Sequence, residues 1–315
     1  VIRPDLAVII CTFRREALLR LALASLAATR RVEGFTLRAV VVDNSDEGSA
    51  GPAIATFRAS APFDVLGVAA HPANIAVARN AGVAAADTEF VAFVDDDQTL
   101  DAGWLEGVAL AARTLPHDVL FGPIEPEFEA PERATPATRR LFSRRLDAPP
   151  GRELFAMGAQ KTAGLALSTG NTLFRRATTL TGPAPFDAAF GLGGGEDYDL
   201  FCRLQRQGRR FGWMPGAKAM EWTPAARCEP GYLGRRFYAG GQAFAAAVAG
   251  ASARPRAMRW RLRARAAAQA ALLLAQAPIR LGRDRHARLD YAFEWAGALG
   301  KLSIGEIHPL YRSRV

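Results

Sequence analysis

Three short, continuous apolar runs mark the first 125 residues: LAVII (Leu6–Ile10), AVVVD (Ala39–Asp43) and FVAFV (Phe90–Val94). Runs this short, without polar alternation, fit strands covered on both faces, as in a parallel sheet. Apolar residues recur at helical spacing in EALLRLALASLAA (Glu16–Ala28), NIAVARNAGVAAA (Asn74–Ala86) and AGWLEGVALAART (Ala102–Thr114). Strands alternating with helices predict an α/β domain with right-handed crossovers.

From Ile124 to Pro150 the pattern dissolves into Pro, Glu and Arg, which predicts a long surface loop of the kind that usually serves function. Regular elements return with GLALSTGNTLFRR (Gly164–Arg176), a helix over Glu196–Gln207, and strands near Phe211–Met214 and Lys218–Glu221. Beyond Tyr232 the chain reads as mostly helical. Its segment RPRAMRWRLRAR (Arg254–Arg265) holds six arginines in twelve residues, and no internal repeat is visible.

Half of the 315 residues are apolar, enough for an ordered core. Lys plus Arg outnumber Asp plus Glu by 40 to 31, with the excess mostly arginine in the last third, which points to an anionic partner. Nucleic acid is the weaker choice, because no aromatic platforms or known module accompany the charge. The three cysteines (Cys11, Cys202, Cys228) show no zinc or disulfide spacing, which favours a reducing, cytoplasmic setting. The most apolar stretch, Ala266–Leu281, is 16 residues long, short of a bilayer span.

A first strand, a helix and a second strand ending in Asp43 also describe the opening of a dinucleotide-binding domain. Its phosphate loop needs G-x-G-x-x-G, and here the segment is CTFRREA, with no glycine. Phosphates bound here would need another source of positive charge. Three aspartates, Asp95, Asp96 and Asp97, follow FVAFV at the carboxyl edge where ligands bind in open α/β sheets. A helix cap accounts for one acid, and Asp101 is available for it. Three in a row suit a divalent cation, since Mg²⁺ or Mn²⁺ takes one or two carboxylates plus substrate phosphates. Farther on, GLGGGEDYDLFCRL sets a glycine run before Glu196 and Asp197. A helix starting there puts Asp197 on one stripe with Phe201, Leu204 and Gly208. Partial desolvation on that stripe would raise the carboxylate's proton affinity and suit a general base; the plainer alternative is an acidic first turn favoured by the helix dipole.

The segments VIICTFRRE, VVVDNSDEGS, NIAVARNAGV, FVAFVDDDQTLDAGWLE, STGNTLFRR and GGGEDYDLFCRLQRQG occur in the order found in family 2 glycosyltransferases of GT-A fold. The chain resembles in particular bacterial enzymes of the succinoglycan type that build exopolysaccharides on lipid carriers, over residues 5–240. The resemblance implies a GT-A catalytic domain over 1–230, with a nucleotide-sugar half (about 1–123) and an acceptor half (about 124–230). Residues 231–315 would form a helical, basic extension for membrane-surface or oligomer contact.

The resemblance also implies residue roles. Thr12, Arg14, Asp43, Asn44, Arg79, Asn80, Asp95 and Asp96 would bind the donor nucleotide. Asp97 would be the main metal ligand, shared with Asp95, for Mn²⁺ or Mg²⁺. Asp197, beside Glu196, would take the proton of the acceptor hydroxyl, giving single displacement with inversion from a UDP-sugar to a lipid-linked saccharide at the cytoplasmic face of the membrane. Two departures stand out. The family's N-x-G is Asn74-Ile75-Ala76, expected to tighten a turn, and its E-H-x-P histidine is replaced in Glu221-Trp222. Glu221 or a water then completes the metal shell, while Trp222 packs or stacks on sugar. Arg235 and Arg236 would face the acceptor. Two other activities compete: a sugar-phosphate nucleotidyltransferase, whose glycine-rich basic loop is missing, and a scaffold that has lost metal with its histidine.

Overall fold

The computed structural model describes residues 5–310. The three apolar runs form β1 (Leu6–Thr12), β2 (Leu37–Asp43) and, after β3 (Asp64–Ala69), β4 (Phe90–Phe93). The connecting helices are α1 (Glu16–Ala27), α2 (Gly51–Ser60) and α3 (Ile75–Ala85). Then follow β5 (Gln98–Leu100), α4 (Trp104–Thr114), β6 (Val119–Phe121), β7 (Ile124–Phe128), α5 (Pro136–Phe142), β8 (Glu153–Leu154), β9 (Thr172–Arg175) and the short α6 (Arg176–Thr179). The chain continues through α7 (Glu196–Arg206), β10 (Phe211–Trp213) and β11 (Ala219–Thr223) to three long helices, α8 (Pro230–Gly250), α9 (Pro255–Leu281) and α10 (Arg285–Leu302).

One eight-stranded sheet runs β3-β2-β1-β4-β9-β6-β10-β8. It is parallel from β3 to β4, and β9 enters antiparallel between β4 and β6. The central strands β2, β1 and β4 are buried on both faces, which is why β1 reads as an unbroken apolar run. Ala7 and Ile9 pack with α3 and α7 on one side, and Leu6, Val8 and Ile10 with α1 and α4 on the other. A second, small sheet, β5-β11-β7, crosses the carboxyl edge of β4 and brings β11 against the aspartates.

Two expectations need correction. The Ile124–Pro150 stretch is not a bare loop: it contains β7 and α5. Pro126 is tolerated because β7 is an edge strand, and α5 starts with Thr135 capping Thr138 N and Pro136 in the first turn. Asp101 does not cap α4, which begins after Gly103; its carboxylate instead accepts from Gly103 N at 2.8 Å in the preceding turn.

The helical end is continuous with the rest. Ala243, Ala247 and Val248 of α8 belong to the main core beside α7. The approach requires Gly195, whose φ of 104° is closed to other residues and whose added Cβ would strike Ala243.

Candidate active site

The aspartates leave β4 where β1 ends and β11 crosses. Trp222 N donates to Asp97 O at 2.8 Å, so β11 is stitched to the turn by its backbone. Strand alternation then aims Glu221 inward: Asp95, Asp97 and Glu221 each offer a carboxylate oxygen, all within 4.8 Å of one another. Gln98, fully buried, holds two of the three, accepting from Asp95 N at 3.2 Å and donating to Glu221 Oε2 at 3.0 Å. Loop 168–171 closes the other side, with Gly170 so near Asp95 that a Cβ there would collide with its carboxylate. That loop is pinned by buried Arg144, which donates to the carbonyls of Gly122, Ser168, Gly170 and Asn171.

Burial pushes the Asp95 carboxyl up to about 6 against the pull of Arg79, and burial with repulsion from Asp97 and Asp95 pushes Glu221 up to about 7. A cluster of hard oxygen donors that repels itself fits Mg²⁺ or Mn²⁺.

Cations border it. Arg15 Nη1 lies 3.0 Å from Asp96 Oδ1 and 3.1 Å from Asp97 Oδ2, and Arg227 Nη1 lies 3.1 Å from the same Asp97 oxygen. Arg79, buried over the Phe186 ring, pairs with Glu196 and lies 3.9 Å from Asp95. Burial raises the proton affinity of Glu196, with Arg79 opposing.

Two cavities meet here. One, of about 410 Å³, is lined by Thr12, Arg15, Asn44, Arg79, Asp95, Asp96, Asp97, Glu221 and Arg227. The other, of about 480 Å³, reaches Asp197 and Lys161, and shares Arg79, Asp95, Glu196, Glu221 and Arg236 with the first. Asp197 is half-buried, and no cation lies within ion-pair distance of it among the described residues. The stripe drawn for Asp197 needs amending: α7 is covered on several sides, and the acids buried in its first turn are Glu196 and Asp199, the latter paired with Arg203.

Several anticipated residues are not brought to these cavities. Asp43 is turned inward, where Ser45 N, Ser45 Oγ and Ala50 N all donate to its carboxylate; neighbouring Asn44 reaches the first cavity instead. Arg14 sits in a left-handed turn (φ 55°), paired in solvent with Glu47, and Arg15 takes the inward place. Asn80 is bound to Phe186 N and O, clamping the 186 loop. Trp222 alternates away from Glu221 and lines neither cavity, and Arg235 is exposed outside both. Asn74 makes no tightened turn; it caps α3, accepting from Ala76 N and Val77 N. Arg15, Arg227 and Gln98 were not anticipated.

Residues 7–179, more than half of the chain, match the family described as Glycosyl transferase family 2. The chain belongs to glycosyltransferase family 2. It is 32% identical over 241 residues to the succinoglycan biosynthesis protein ExoM of Rhizobium meliloti (strain 1021), covering 76% of this chain and 74% of that one. Among solved structures it is similar to the mannosyltransferase PcManGT from Pyrobaculum calidifontis in complex with GDP-Man and Mn²⁺ (TM-score 0.58, 18% identity, 96% of this chain and 88% of the other). It is also similar to S. aureus TarS 1-349 in complex with UDP (TM-score 0.55, 16% identity, 81% and 68%). The fold is thus that of GT-A glycosyltransferases, and the chain is a glycosyltransferase.

Proposed function

We propose that this glycosyltransferase moves a sugar from a UDP-sugar to a saccharide acceptor, by single displacement with inversion and with a divalent cation, in the synthesis of a bacterial surface polysaccharide on a lipid carrier. The observation that carries this reading is the Asp95, Asp97 and Glu221 triad at the junction of two cavities, with Asp197 in only one of them. A cation held by the triad would stabilise the diphosphate as it leaves. Thr12, Asn44, Arg79 and Asp96 line the chamber for the donor, and Arg15 and Arg227 are placed to meet diphosphate oxygens. From the second chamber Asp197 takes the acceptor hydroxyl's proton as the new C–O bond forms at the anomeric carbon and the bond to phosphate breaks. The name of the succinoglycan relative supports a polysaccharide product, and the GDP-Man and Mn²⁺ of PcManGT support metal-assisted donor binding. Glu221 in the triad weighs against a scaffold stripped of its metal site. In a thermal-shift screen of nucleotide sugars, UDP-sugars should stabilise the protein, and by several degrees more with Mn²⁺ than without. Equal shifts with and without the cation would refute metal dependence.

No helix among the described residues is long and apolar enough to cross a membrane. Contact at the cytoplasmic face would fall to α9. Its buried side is Leu262, Ala266 and Leu273, while Trp260, Leu274 and Ile279 are 69%, 66% and 75% exposed. No charge occurs from Ala266 to Ile279, and arginines flank the stretch on both sides (Arg254–Arg265 and Arg280–Arg285). Exposed apolar side chains set within and between cationic segments suit an anionic lipid surface. The protein should sediment with phosphatidylglycerol vesicles, and Trp260→Glu/Leu274→Glu/Ile279→Glu should weaken this by about tenfold or more. Unchanged sedimentation would remove α9 from that role.

A further inference from the structure

A third cavity, of about 300 Å³, opens beside the Asp197 chamber and shares Lys161, Arg236 and Phe244 with it. Its lining contains three cations (Lys161, Arg236 and Lys301) and no carboxylate. Two of them rest on one aromatic ring. Lys161 Nζ lies 4.7 Å from the Phe244 centroid and 5.4 Å from that of Tyr198, and Lys301 Nζ lies 5.7 Å from Phe244. Tyr198 and Phe244 are themselves stacked at 5.8 Å, and Tyr198 OH is anchored on Ala156 O at 2.6 Å. The platform is therefore fixed: Tyr198 follows Asp197 directly in α7, and Phe244 comes from α8.

Neither ammonium has an acidic partner within ion-pair distance among the described residues; Lys301 Nζ donates to Gln269 Oε1 at 3.0 Å, a neutral contact. Ring faces attract cations but do not neutralise them. Desolvation and the Lys161 charge lower the proton affinity of Lys301, as expected of like charges held together without a counterion. Folding has brought the two ammonium groups of Lys161 and Lys301 together without an acidic partner for either among the described residues. Clustered cations match a ligand group carrying more than one negative charge, a phosphoryl group rather than a single carboxylate.

We propose that Lys161 and Lys301 form a phosphate-binding subsite, adjoining the Asp197 chamber, for a phosphoryl group carried by the acceptor. Its assignment to the acceptor rests on the proposed role of that chamber; the anion site itself does not. The same chemistry would serve a lipid phosphate headgroup or a phosphate free of lipid.

Isothermal titration of the UDP- and Mn²⁺-saturated protein with inorganic phosphate and with farnesyl phosphate tests the subsite. Wild type should bind at least one probe. Affinity should fall about tenfold for each lysine removed in Lys161→Ala and Lys161→Ala/Lys301→Ala. Lys161→Arg/Lys301→Arg should restore binding, and UDP affinity should stay constant throughout, showing the fold intact. Tighter binding of farnesyl phosphate supports a lipid headgroup; equal binding supports a lipid-free phosphate. The subsite is overturned if wild type binds neither probe or if the double alanine variant binds both as well as wild type. Probe binding through the two lysines in a protein that transfers no sugar keeps the subsite and sinks the transferase mechanism. Sugar transfer with unchanged acceptor KM in the double alanine variant, and no probe binding, does the reverse.

Discussion

Asp97→Ala should lower kcat/KM for sugar transfer by roughly 10³-fold, about 4 kcal/mol of transition-state stabilisation, and abolish the Mn²⁺-dependent part of UDP binding. Asp97 contributes to two constructions at once. One of its oxygens completes the 4.8 Å triad with Asp95 and Glu221, and its Oδ2 sits between Arg15 and Arg227. Removing it takes a ligand from any cation and leaves two guanidinium groups facing the donor chamber without that partner. UDP titrated without metal should then bind as well as to wild type or better, because those arginines are released toward the diphosphate. The paired result separates a metal ligand from a merely structural acid, whose loss would weaken both titrations alike. Retention of metal-enhanced UDP binding in the variant would remove Asp97 from the metal site.

The strands that position this centre were legible because they are buried on both faces and so carry no polar alternation. By contrast, β3 is an edge strand with a glycine inside it and a mixed burial pattern, and its sequence DVLGVA gives only a weak signal. The acids of the triad could be read from the position of Asp95 and Asp97 after β4 and from Glu221 beside the missing histidine. The cations could not. Choosing between Arg14 and Arg15 depends on which residue of the turn takes the left-handed conformation, and adjacent identical side chains carry no periodicity that reveals it. Arg227 reaches Asp97 from a one-turn helix after β11, a contact across 130 positions of sequence. Local chemistry turns the Asp43 carboxylate inward: a serine two residues on and the amide of Ala50 donate to it, as in Asx turns. The helix in 124–150, though, had announced itself in Thr135-Pro136, a cap followed by a first-turn proline.

Asp197→Asn should lower kcat by about 10²- to 10⁴-fold while leaving donor KM and UDP affinity near wild type. The neighbouring acids make the contrast informative. Glu196 is buried and lines both chambers, but its Oε1 is engaged by Arg79, so its main effect is to hold Arg79 in place beside Asp95. Asp197 Oδ1 accepts from Tyr198 N at 2.6 Å, which fixes the carboxylate at the mouth of the second chamber. The amide is isosteric and keeps that acceptor, so the fold and the donor chamber should not change; what it cannot do is take a proton. Glu196→Gln, by weakening the pair with Arg79 beside Asp95, should instead raise donor KM. The two adjacent substitutions therefore separate by kinetic signature: kcat for Asp197, donor KM for Glu196. If Asp197→Asn raised donor KM with kcat intact, the base would have to be sought elsewhere in the chamber. Burst and steady-state measurements on the same donor and acceptor pair would decide it, because loss of a general base slows the bond-forming turnover and not the release of UDP.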